Sequence, residues 1–127
     1  MSSTKVSKER RYGVVSADER RALDGLEFVQ RLVTGALPLN TMARTIGYNI
    51  AEASVGRVVV TADPSGDHLN PAGTVHGGFA ATLLDTCMGF AVHTTIGKRL
   101  QLNDTGIQGL LLRPITPETG PIRAGSS

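Results

Sequence analysis

The sequence predicts an α+β domain, and three observations carry that prediction. Apolar side chains recur near the helical period from Phe79 to Val92, through Leu83, Leu84, Cys87, Met88 and Ala91. Upstream lies the β-branched run Val58-Val59-Val60, of the kind strands prefer. Between the two stands the turn-forming cluster Asp63-Pro64-Ser65-Gly66-Asp67.

Taken in order, residues 1–15 are polar and basic and are expected to be poorly ordered. Ser16-Ala17-Asp18-Glu19 has the pattern of a capping box, in which the first side chain and the fourth satisfy helix-end N–H groups. It opens a predicted helix carrying Leu23, Leu26, Phe28, Val29, Leu32 and Val33, closed by Gly35 and Pro38. Strands are predicted over Thr45–Ala53 and Arg57–Ala62, with a turn at Ser54-Val55-Gly56. A loop through Asn70 and Gly73 leads into the long helix at Gly77. A third strand is expected over Thr105–Arg113, although Gly106 and Gly109 weaken it and Asn103-Asp104 is turn-like. Pro114 to Pro121 reads as a loop. No repeat or second domain appears, so 16–127 is read as one domain.

Bulk composition excludes several classes. The 127 residues are 40% apolar, enough for one core, and with aromatics at 4% the packing must be aliphatic. The net charge of +2 is too small to argue for nucleic acid, and Lys5, Lys8, Arg10 and Arg11 read as a solvated basic tail. One cysteine allows no internal disulfide. No apolar stretch is long enough to span a bilayer and no secretory signal is visible, so a cytoplasmic protein is expected, with no membrane partner.

The chemistry concentrates in Asn70-Pro71-Ala72-Gly73-Thr74-Val75-His76-Gly77-Gly78 and in Asp85. The glycine pair stands where a helix begins. A helix N-terminus offers free N–H groups and the positive end of a dipole, which would stabilise an anion forming during a reaction. Glycine allows close approach of a substrate to that backbone. Asp85 lies amid an apolar pattern, where a carboxylate is paired, exposed at a rim or functional. Gly77 and Asp85 are eight residues apart, about 12 Å along a helix axis. If both act on one substrate, two copies of the helix must lie side by side and antiparallel, as in a symmetric dimer with shared sites.

Asn, five residues, His-Gly-Gly, six residues, Asp resembles the motif of the hotdog-fold thioesterases of the phenylacetate-pathway type (PaaI-like). The resemblance runs from about Gly25 to Thr95, including Ala43-Arg44-Thr45-Ile46-Gly47 and Gly56-Arg57-Val58-Val59-Val60, and resumes over Leu112 to Gly120. It implies a long helix wrapped by a curved antiparallel sheet. It also implies two strands after the Pro-Ile-Thr-Pro-Glu-Thr-Gly loop, where this sequence has only Pro121 to Ser127; a C-terminally shortened domain is therefore expected.

The implied reaction is hydrolysis of an acyl-CoA thioester, with coenzyme A part of the substrate and no cofactor. The resemblance gives the Gly77 N–H the role of oxyanion donor and Asp85 of the other subunit that of general base or nucleophile. Asn70 and His76 hold the carbonyl or the water, and Gly78 lines the substrate site. A homodimer, or a tetramer built as a dimer of dimers, is implied. Asp104 or Thr105 falls near the place of a water-positioning hydroxyl.

Rival readings are a shortened, inactive hotdog chain that binds acyl-CoA or a partner subunit, and a hotdog dehydratase or hydratase, against which the Asn-HGG-Asp pattern argues. Cys87 reads as a buried small hydrophobe rather than a nucleophile. His68 reads as a loop residue and His93 as packed or exposed near a helix end. No pair among His68, His76 and His93 has convincing metal spacing, so no metal is expected.

Overall fold

The computed structural model describes residues 10–97, 118 and 120–125. The expectations for 98–117, including the third strand over Thr105–Arg113 and the water-positioning place near Asp104 or Thr105, lie outside the described residues. Three helices precede the first strand: α1 (Ala17–Ala22), α2 (Gly25–Thr34) and α3 (Thr41–Ile46). Strands β1 (Tyr48–Ser54) and β2 (Arg57–Ala62) follow, then a single 3-10 turn at Gly66–His68, helix α4 (Gly77–His93) and strand β3 (Ile122–Gly125). The sheet is antiparallel in the order β1-β2-β3.

The helix expected from Ser16 to Gly35 is two helices. Ser16 caps α1, its Oγ accepting from Glu19 N–H at 3.1 Å. The chain then breaks at Leu23, and Asp24 caps α2 by accepting from Glu27 N–H at 2.8 Å. The break is dictated from far away in sequence. Gly25 N–H donates to Ile96 O at 2.8 Å, so the start of α2 abuts the end of α4. A Cβ on Gly25 would stand 1.7 Å from His93 O, and only glycine fits. Gly35 closes α2 in the left-handed conformation, as expected.

Two further expectations are corrected. Thr45 and Ile46 belong to α3, not to a strand; Gly47, at φ 90°, ends that helix and β1 starts at Tyr48. Residues 10–15 also belong to the folded domain. Val15 is buried, Tyr12 and Leu39 form a bridge, and Gly13 N–H donates to Leu39 O at 2.9 Å. Arg10 is partly buried and donates to Leu32 O, while Arg11 donates to Gly35 O and Ala36 O at 2.8 and 3.0 Å. These two guanidiniums serve the carbonyls at the C-terminus of α2, where cations are favoured.

β2 falls where the sequence placed it. Val58, Val60 and Ala62 on β2, with Tyr48 and Ile50 on β1, face Leu83, Cys87 and Ala91 of α4 and Phe28, Val29 and Leu32 of α2 in one core. Each such aliphatic side chain contributes about 1.5–3 kcal/mol by leaving water. Across the three strands Glu52 pairs with Arg57 at 2.9 Å and Arg123 at 3.2 Å, which holds its carboxyl below the usual range. β3 was not foreseen, because the sequence reading carried the strand pattern no further than Arg113; Ala124 is nonetheless buried opposite Val60.

At the junction of α2 and α4 the His93 ring packs on Phe28, centroids 5.1 Å apart. Burial chiefly, and Arg20 secondarily, lower its pKa below the ordinary value. The neutral form therefore favours the fold. Stability is full above about pH 6.5, the ordinary histidine value, and falls as pH drops through the lowered folded pKa. Urea midpoints measured between pH 7.5 and 5 should decline in wild type and decline less in His93→Gln; parallel curves would remove His93 from the account.

Candidate active site

The site is built from the loop that enters α4. Ser65 caps the 3-10 turn, and its own N–H donates to His68 Nδ1 at 3.0 Å. Leu69 and Val75 form an antiparallel bridge that closes the loop 70–74 between them. Inside it Asn70 acts as a local brace. Its Oδ1 accepts from Ala72 N–H at 2.9 Å and Thr74 N–H at 3.2 Å, and its Nδ2 donates to Thr74 Oγ1 at 2.8 Å. Gly73 sits at φ 86°, a conformation glycine adopts without a steric penalty. Thr74 is the partner that sequence reasoning missed. The signal was available in the Asn-Pro-x-Gly-Thr spacing, which folds back on its own first residue.

The loop delivers His76 to the N-cap of α4. Its N–H donates to His68 O at 2.7 Å, its carbonyl accepts from Phe79 N–H at 2.9 Å, and its Nδ1 accepts from Gly78 N–H at 2.8 Å. The His68 ring packs on Phe79, centroids 4.4 Å apart, so both ends of the turn are anchored. Gly78 N–H and Phe79 N–H are thus engaged, and Gly77 N–H has no acceptor among the described residues. That amide stands at the positive end of a seventeen-residue helix.

Asp85 lies two turns along the same helix and is partly buried. It is two residues from both Leu83 and Cys87, which face the core, so at 3.6 residues per turn it faces the other side of α4. Its helical neighbours there are Ala81, Thr82, Met88, Gly89 and Val92, with Met88 45% and Val92 51% exposed. One chain therefore brings His76, Gly77 and Gly78 together, with Asn70 bracing the loop beside them, and holds Asp85 about 12 Å away along the axis. Cys87 is buried, its thiol donating to Val58 O at 3.1 Å. Among the described residues no three His, Cys, Asp or Glu groups converge to hold a metal ion.

The sequence profile of a family described as "Domain of unknown function (DUF4442)" matches residues 29–118. No curated protein matches the chain. Solved structures do match. One is a phenylacetic acid degradation-related protein of Ralstonia eutropha JMP134, provisionally assigned as a thioesterase. It is 25% identical with a TM-score of 0.56, over 76% of this chain and 73% of the other. The PaaI protein of the E. coli phenylacetic acid degradation operon matches at 19% identity and TM-score 0.57, over 87% and 71% of the two chains. The TT0310 protein of Thermus thermophilus matches at 26% identity and TM-score 0.50, over 66% and 68%. The long helix on an antiparallel sheet is the hotdog fold of these proteins.

Proposed function

The chain belongs to the DUF4442 family and has the hotdog fold of the PaaI-like proteins, and we propose that it hydrolyses acyl-CoA thioesters to a free acid and coenzyme A. One observation carries the reading. A glycine amide with no acceptor among the described residues opens α4, and a half-buried carboxylate stands on the outward face of the same helix. The first suits an oxyanion and the second suits activation of water, and they serve one substrate if two helices run antiparallel.

In this mechanism the thioester carbonyl accepts from the Gly77 N–H of one protomer. The donor is fixed before reaction, so it stabilises the negative charge of the tetrahedral intermediate without reorganisation. Asp85 of the partner protomer takes a proton from water, or attacks the carbonyl carbon itself. His76 and Asn70 shape the approach to the carbonyl, His76 directly and Asn70 by bracing the loop, and Gly78 lies beside them in the first turn of α4. Collapse of the intermediate expels the coenzyme A thiolate, and no cofactor takes part.

The outward face of α4 supports the dimer. A helix that is apolar on both sides is buried on both, and Met88 and Val92 are left for a second copy of the chain to cover. No described helix is long and apolar enough to cross a membrane, and the charge gives no footing for nucleic acid; the proposed setting is the cytoplasm. Thiol release from a panel of aryl-acetyl, hydroxybenzoyl and medium-chain acyl-CoA substrates tests the activity. Release by wild type that Asp85→Ala abolishes is the expected result; no release from a folded dimer overturns it.

A further inference from the structure

We infer that Gly78 is a positioning residue that fixes both the seat and the tautomer of the His76 imidazole, so that His76 meets the substrate as a neutral Nε2–H donor. The inference rests on the thioesterase reading only for what the donor meets; the state of the ring follows from the geometry alone. A backbone amide can only donate. Gly78 N–H lies 2.8 Å from His76 Nδ1, so that nitrogen must offer a lone pair. A neutral imidazole has one such nitrogen, and its single proton then sits on Nε2. Rotating the ring by half a turn would set a C–H against the amide, and protonating it would set an N–H there.

Gly78 also contributes by what it lacks. A Cβ at this position would stand 3.0 Å from His76 Nδ1 and 3.3 Å from Cε1. Both contacts are tighter than ordinary packing, so the ring would have to retreat and the 2.8 Å bond would lengthen. The two glycines after His76 thus have separate tasks. Gly77 supplies an amide to the substrate, and Gly78 supplies an amide and room to the imidazole. His68 O, accepting from His76 N–H at 2.7 Å, holds the backbone on the other side. The ring of His68 is committed elsewhere, its Nδ1 accepting from Ser65 N–H.

The test is a double-mutant cycle joined to a spectroscopic readout on the full-length protein. Long-range proton–nitrogen correlation of the imidazoles at pH 8 should show His76 protonated at Nε2 and bare at Nδ1, and Gly78→Ala should shift or mix that state. His76→Ala should lower kcat by about 10²-fold, the usual loss on removing one oxyanion-type donor. Gly78→Ala alone should lower it roughly tenfold through misplacement. In the His76→Ala background it should then cost nothing further, because it acts through the ring. His76→Gln, which keeps a neutral N–H donor, should recover part of the loss. Additive losses, or a proton on Nδ1 in wild type, would overturn the inference. A wild type with the Nε2–H tautomer but no turnover would instead overturn the thioesterase reading and leave the geometry standing.

Discussion

Asp85→Asn and Asp85→Ala should each lower thioester turnover by about 10³-fold or more, while the protein keeps its fold and its oligomeric state. A positioned acid or base contributes on the order of 10²–10⁴-fold, and a carboxylate that attacks directly contributes at least as much. The isosteric Asn is the sharper variant. It fills the same volume on the partly buried face of α4, between Thr82 and Met88, and removes only the basic oxygen. The measurement is steady-state thiol release, with circular dichroism and size-exclusion profiles beside it. Activity within tenfold of wild type in either variant would end the assignment of Asp85. A single turnover in isotopically heavy water then tests for direct attack, which enzyme oxygen in the acid would establish. If Asp85 activates water, the heavy oxygen enters the acid at once. If Asp85 attacks and water then opens the mixed anhydride at the Asp85 carboxyl carbon, the first acid released carries oxygen from the enzyme and the heavy oxygen stays on Asp85.

Gly25→Ala should be the most destabilising small substitution in the described structure. In an open helix position the change would stabilise by about 1 kcal/mol. Here the added Cβ would lie 1.7 Å from His93 O and 2.9 Å from Ile96 O, both backbone atoms. Neither can swing aside, so α2 must pull away from α4 and the Gly25 N–H to Ile96 O bond is lost with it. Overpacking of this kind costs about 1–3 kcal/mol, and with the hydrogen bond the total should reach roughly 3 kcal/mol or more. Thermal unfolding should show a Tm drop of about 10 °C or more. An unchanged or raised Tm would mean that the start of α2 does not rest on the end of α4.

These positions show where the sequence was readable. β2 is bounded as read because a β-branched run closed by turn residues is a local signal. α4 is bounded as read because its apolar period is long. The break before Gly25 was hidden, since its cause lies 68 residues away at His93 and no local residue reports a close backbone approach. α3 was missed because β-branched Thr45 and Ile46 argued for a strand, while Gly47 as a helix stop argued more weakly. Arg10 and Arg11 looked like solvated charge because their partners are main-chain carbonyls, which the pattern of side chains does not display. At the site the motif located the atoms but not their duties. The amide of Asn70 is occupied inside its own loop, which makes it a brace before it is anything else.

The Cys87 thiol, sealed against Val58 O beneath α4, gives this protein an internal clock. A thiol-reactive dye that counts liberated coenzyme A will not register Cys87 while the core is shut. In the absence of substrate the same dye can react with this chain only when α4 lifts from the sheet. The slow colour of a substrate-free blank therefore measures how often the core opens. Followed across the variants above, it ranks their breathing in the very cuvette that ranks their catalysis.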